Sequence, residues 1–137
     1  MKIKIFCDSA DLKIIKKLNN NPLVSGFTTN PTLMRLAGAK DYKNYSLKLL
    51  SVCKKKPISL EVFGDTTDQM LKQAIIINSW GKNVYVKIPV VNSKGFFSGE
   101  IIKILSNQNI KLNITAVYTA NQVKKIIKCI NKDSKII

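Results

Sequence analysis

Lys87 stands in the most apolar stretch of the chain, Val84-Tyr85-Val86-Lys87-Ile88-Pro89-Val90. A lysine there must snorkel to water, pair with an acid or lose its proton. Desolvation disfavours the ammonium, and a neutral amine is a nucleophile toward carbonyls. Asp8 follows the apolar run Ile3–Cys7, and Glu61 lies within Ser59-Leu60-Glu61-Val62-Phe63, where a carboxylate without a partner is costly. Side chains alternate along a strand with a period of two, so Phe6 and Asp8 share a face. By the same count Thr28 pairs with Asn30, Ser59 with Glu61, Tyr85 with Lys87, and Asn113 with Thr115. The opposite faces carry Ile5 and Cys7, Phe27, Leu60 and Val62, Val86 and Ile88, Ile114 and Ala116. The apolar face of each strand would meet helices, and the other would end in a polar group near the C-terminal edge. Asp8, Asn30, Glu61, Lys87 and Thr115 are therefore expected on one rim.

The chain has no histidine, which removes Ser-His-Asp and Cys-His arrangements and every His-ligated metal site. Cys7, Cys53 and Cys129 are scattered, with no CxxC pair, so no cysteine zinc site is expected and a reducing compartment fits best. The 137 residues carry 23 Lys and Arg against 8 Asp and Glu, a net charge of +15. Arg35 is the only arginine, and nucleic-acid readers favour arginine for its bidentate fork. The lysines are spread over helix faces, so a solvated basic surface is preferred to a nucleic-acid site, although its field would draw in an anionic substrate. No apolar run reaches the ~18 residues of a membrane span, and the N-terminal apolar stretch is too short and too quickly charged for a signal peptide to be expected. A cytoplasmic protein with no membrane partner is the expectation.

Short apolar runs alternate with helix-like stretches. Strands are expected at Ile3–Cys7, Leu23–Thr28, Ile58–Phe63, Val84–Val90 and Leu112–Val117. Ser9 is a plausible N-cap for the first helix, whose apolar face is Leu12, Ile15 and Leu18. Asn30 and Pro31 open a long helical region that Gly38 can interrupt and that ends near Lys56-Pro57. Further helices are expected from Asp65 to Trp80, closed by Gly81, from Phe96 to Leu105, and from Ala120 to Ile130. Ser134–Ile137 reads as the start of a sixth strand. Strict alternation argues for a parallel α/β sheet with right-handed crossovers. No GxGxxG or GxxxxGK[ST] follows any strand, whereas polar residues at many strand ends suit a (β/α)8 barrel of the TIM type. Residues 1–137 are expected to form a single partial barrel domain with five to six of the eight strands.

Cys7-Asp8-Ser9-Ala10-Asp11, Gly26-Phe27-Thr28-Thr29-Asn30-Pro31-Thr32, Val86-Lys87-Ile88-Pro89-Val90 and Asn113-Ile114-Thr115-Ala116-Val117-Tyr118 resemble, in order and spacing, segments of the transaldolase family, which includes small transaldolases and fructose-6-phosphate aldolases. The resemblance implies a (β/α)8 barrel and class I chemistry of carbohydrate metabolism, in the pentose phosphate pathway. It implies that a Schiff base forms at Lys87 and that a dihydroxyacetone unit passes between sugar phosphates without metal or organic cofactor. It implies that Asp8 handles a substrate hydroxyl proton, that Asn30, Thr28 and Asn113 bind substrate, and that Thr115 and Glu61 hold the catalytic water. Glu61 discriminates, because the fructose-6-phosphate aldolases carry Gln there; it favours the transaldolase over the aldolase alternative. Each residue also has a plainer use: Asp8 and Asn30 can cap helices, Lys87 can reach solvent, and Asn113 and Thr115 can be satisfied strand residues.

A full barrel commonly takes ~250 residues and at least ~200. The resemblance therefore implies about three further βα units beyond Ile137, carrying a serine, an arginine and an aromatic residue that bind phosphate and tune the water. Arg35, on the second helix, is not their equivalent. A partial reading frame is preferred to a homo-oligomer that completes the sheet, or to a non-catalytic fragment.

Overall fold

The computed structural model describes residues 3–137 and alternates strand and helix along the chain. The strands are β1 (Ile5–Asp8), β2 (Val24–Thr28), β3 (Ile58–Glu61), β4 (Val84–Pro89) and β5 (Leu112–Thr115). The helices are α1 (Leu12–Leu18), α2 (Pro31–Leu36), α3 (Tyr42–Val52), α4 (Thr67–Asn78), α5 (Gly99–Asn107) and α6 (Ala120–Ile127). The sheet order is β1-β2-β3-β4-β5, so each strand follows its predecessor after a helical crossover. This is the parallel α/β pattern of an incomplete TIM-type barrel. The chain divides into two compact units, residues 1–61 with 80–84, and residues 62–79 with 85–137.

In the first unit β1 pairs with β2 in parallel, with a register shift between Ile5 and Phe6, and β2 pairs with β3. Phe27, Ile58 and Leu60 are fully buried, as the period-two reading requires, and Ile15, Met34 and Leu49 cover them from the helices. Ile5 departs from it: at 55% exposure it does not meet the helices. Asp11, not Ser9, caps α1: its carboxylate accepts from the amides of Lys13 and Ile14, while Ser9 Oγ accepts from Asp11 N. The long helical region is two helices. Gly38 takes φ +90° between them, a conformation cheap only for glycine. α3 ends at Val52, short of Pro57, and Lys56 Nζ turns back to donate to the carbonyls of Leu18 and Asn21 behind α1.

In the second unit Val86, Ile88, Val90, Ile101, Ile102, Leu105 and Leu112 are fully buried. α4 starts later than the composition suggests, because Thr66 and Gln69 close a capping box, and it ends on Ser79 rather than Gly81. α5 starts at Gly99 rather than Phe96, since Phe97 bridges antiparallel to Val91. α6 stops at Ile127, three residues before Ile130. The tail does begin to pair in parallel beside β5, with Ile137 N donating to Leu112 O at 2.9 Å and Ile114 N to Ile137 O at 3.0 Å.

Candidate active site

Asp8 and Thr28 end neighbouring strands in matched register. The Thr28 hydroxyl donates to Asp8 Oδ1 at 2.7 Å, and Ser9 N donates to Thr28 O at 3.0 Å. Asp8 therefore does not serve as the cap of α1, a task Asp11 performs. Its carboxylate is exposed at the strand end and oriented by one hydroxyl.

Asn30 is both a candidate and a cap. Its Oδ1 accepts from Leu33 N at 2.8 Å and Pro31 occupies the first turn of α2. The cap uses only the oxygen, and the Nδ2 end takes no part in it, so an amide held by its own helix can still donate to a substrate hydroxyl. Glu61 is the last residue of β3 and is half-buried. Its main-chain carbonyl accepts from the Tyr42 hydroxyl at 2.8 Å. Burial raises the Tyr42 hydroxyl above its ordinary pKa, so it remains a donor.

Lys87 lies in the second unit, in the middle of β4, with 9% of its surface exposed. Val86 and Ile88 on either side have none. Its cross-strand partner on β5 is Asn113, itself 8% exposed, and Pro89 faces Thr115 at the strand ends. Val90 N donates to Thr115 O at 2.9 Å. Ala116 then takes φ +59° and turns the chain out of the strand. A lysine and an amide thus lie side by side in a parallel strand pair whose other residues, apart from Tyr85 and Thr115, are apolar. Burying an amine in this way is expensive unless its surroundings satisfy it.

Composition did not reveal the strap between the loops after β3 and β4. Asp65 accepts from Ser93 N and Ser93 Oγ, both at 2.8 Å, and its carbonyl accepts from Asn92 Nδ2 at 3.1 Å. Asn92 Oδ1 in turn accepts from Lys94 N and Phe96 N. The Ser93 hydrogen bonds, helped by Lys94, hold the Asp65 carboxyl below its usual range. The Asn-Ser-Lys-Gly turn was a visible signal, but its acidic partner lies 28 residues away. The thiols of Cys7 and Cys53 are pushed up, chiefly by burial, which suits packing rather than nucleophilic use. Among the described residues no group of three or more Cys, Asp or Glu could hold a metal ion, and no helix is long and apolar enough to cross a membrane.

Parallel βα units in the sheet order β1-β2-β3-β4-β5 define an incomplete TIM-type α/β protein. Residues 5–136 match the family described as Transaldolase/Fructose-6-phosphate aldolase, and the chain belongs to that family. A protein of Dehalococcoides mccartyi named "Probable transaldolase" is 38% identical over 120 residues, which cover 88% of this chain and 54% of that relative. Proteins of the same name from Streptococcus agalactiae and Streptococcus pyogenes are 37% identical, covering 88% of this chain and 53% of theirs. The chain spans about half the length of the curated relatives it matches.

Proposed function

We propose that the chain carries the Schiff-base half of a transaldolase, which moves a dihydroxyacetone unit between sugar phosphates. The observation that carries this is Lys87, an amine almost wholly buried in an apolar strand beside Asn113. As a neutral amine it adds to the ketone carbon of a ketose phosphate, and loss of water gives the Schiff base. Asp8 takes the proton from the hydroxyl of the carbon being released, the adjacent carbon–carbon bond breaks, and an aldehyde departs. The remaining three-carbon enamine then attacks the acceptor aldehyde. Asn30, Thr28 and Asn113 supply hydrogen bonds to the sugar hydroxyls. Glu61 and Thr115 hold the water that hydrates and dehydrates the imine, and a carboxylate at 61 supports transfer over the aldolase alternative. Membership of the family and the name of its relatives support this reading.

The test is borohydride trapping with fructose 6-phosphate, followed by peptide mapping. The adduct is expected on Lys87 and is expected to vanish in Lys87→Ala. Trapping should be weak in the 137 residues alone, and strong once the chain is extended by the C-terminal part of the Dehalococcoides relative, because the resemblance assigns phosphate binding to strands beyond the fifth. An adduct on any other lysine refutes the assignment.

A further inference from the structure

The ladder between β2 and β3 follows a simple count. Phe27 N donates to Pro57 O at 2.9 Å, and Thr29 N donates to Ser59 O at 3.2 Å. Two residues further on each strand, the next rung would run from residue 31 to Glu61 O. Residue 31 is proline and has no N–H to give. The carbonyl at that place in the count belongs to the last residue of β3, and the Tyr42 hydroxyl donates to it at 2.8 Å.

Tyr42 is itself firmly placed. It is the first residue of α3, just after Asp41, whose carboxylate caps that helix by accepting from Asn44 N at 2.7 Å. Its carbonyl accepts from Ser46 Oγ at 2.7 Å, and its ring lies against Trp80 with centroids 6.0 Å apart. A rigid aromatic with one polar end is well suited to meet a single backbone acceptor.

We infer that Tyr42 is a positioning residue for Glu61: its hydroxyl supplies the rung that Pro31 cannot, and so fixes the backbone that carries the Glu61 carboxylate. The inference rests on the role proposed for Glu61 in handling the water of the imine steps. With the bond in place, that carboxylate starts from one backbone orientation; without it, the strand is still tied just beyond Glu61, where Val62 N donates to Lys87 O at 3.1 Å and Phe63 N to Gln73 Oε1 at 2.8 Å, but the Glu61 carbonyl loses the Tyr42 donor and the carboxylate is less closely placed for the water.

The experiment compares the labelled 137-residue chain with Tyr42→Phe and Tyr45→Phe by NMR relaxation. Tyr45 is the control, since its hydroxyl also bonds main-chain carbonyls, those of Ala10 at 2.9 Å and Ala37 at 3.2 Å, but not Glu61. In Tyr42→Phe the backbone order parameter at Glu61 should fall measurably below the value of about 0.85 that a rigid backbone gives, and in Tyr45→Phe it should stay near 0.85. No change in Tyr42→Phe, or an equal fall in both variants, overturns the inference. Should Tyr42→Phe not fold, the unmutated chain decides: a slowly exchanging Tyr42 hydroxyl proton with an Overhauser contact to Glu61 supports it, and a rapidly exchanging one overturns it. In the extended, active protein Tyr42→Phe should lower kcat for transfer about tenfold with KM nearly unchanged. The order parameters need no turnover, so a misplaced Schiff base and a mistaken Tyr42 give different results.

Discussion

Gly26 is where a single methyl group should do most damage to the Asp8–Thr28 pair without touching either residue. It lies on β2 opposite Phe6, two residues before Thr28, in the stretch where Phe6 pairs with Gly26 and Asp8 with Thr28. A Cβ built at Gly26 would stand 2.6 Å from the Phe6 ring, 2.8 Å from Pro57 Cγ and 2.8 Å from Pro57 O. The phenyl ring can swing, but Pro57 O cannot, because it is backbone and accepts from Phe27 N in the ladder. Gly26→Ala must therefore push β2 away from β3 or bend the ladder. Overpacking of this kind costs about 2–3 kcal/mol. At about 2.1 cal/mol/K of unfolding entropy per residue, a chain of this length should lose roughly 7–10 °C in Tm. Denaturant titration should show a lower midpoint at unchanged slope. The strain should also show as a weakened Thr28–Asp8 hydrogen bond, seen as faster exchange of the Thr28 hydroxyl proton. A Gly26→Ala chain within about 0.5 kcal/mol of the original, the range of an ordinary surface change, would refute the close approach.

Two further perturbations test separate parts of the structure. Asp65→Asn keeps the shape of the strap and removes its charge. Because the folded carboxyl sits below its ordinary value, it contributes stability that is present above the unfolded pKa and lost as pH falls through the folded one. Denaturant midpoints of the two chains should therefore differ at neutral pH and converge under acid, and a gap independent of pH would assign the strap's effect to shape alone. Glu61→Gln, in the extended protein, should shift product from transfer toward simple aldol cleavage, since an amide holds and polarises water differently from a carboxylate. An unchanged ratio of the two activities would remove Glu61 from that role.

Much of this was legible in the sequence because it depends on local periodicity. The five strands fall within two residues of their expected starts, and Phe27, Leu60, Val86 and Ile88 are buried as a period of two requires. Asn30 followed by Pro31 announces a helix start, and the structure uses Asn30 as that cap. What stayed hidden depends on geometry that no local pattern records. Ser9 and Asp11 are both good caps by type, and only the chain path off β1 decides for Asp11. Ile5 belongs by phase to the helix-facing side yet is exposed, since burial also needs a helix to cover it. Tyr42 carries no motif, and its bond to Glu61 spans 19 residues. Asp65 was visible only as the start of a helix, whereas its carboxylate holds the next loop.

The segment Thr28-Thr29-Asn30-Pro31 does more than mark a family. Thr28 fixes Asp8, Thr29 N closes the last ladder rung to Ser59, Asn30 turns the chain into α2, and Pro31 ends the ladder. Proline at that place has two consequences that cannot be separated. It suits the first turn of a helix, where a missing N–H costs nothing, and it leaves the Glu61 carbonyl to another donor. The rung is recovered from α3 by an aromatic hydroxyl, at a distance of 2.8 Å, matching that of the Asn30 cap. One tetrapeptide therefore sets the surroundings of a carboxylate on β1 directly and of a carboxylate on β3 by omission. Substitutions at Asn30 or Pro31 should disturb both together, so a loss of function there does not identify which residue meets the substrate. That attribution has to come from residues such as Thr28 and Tyr42, each of which touches one carboxylate's support and leaves the turn intact.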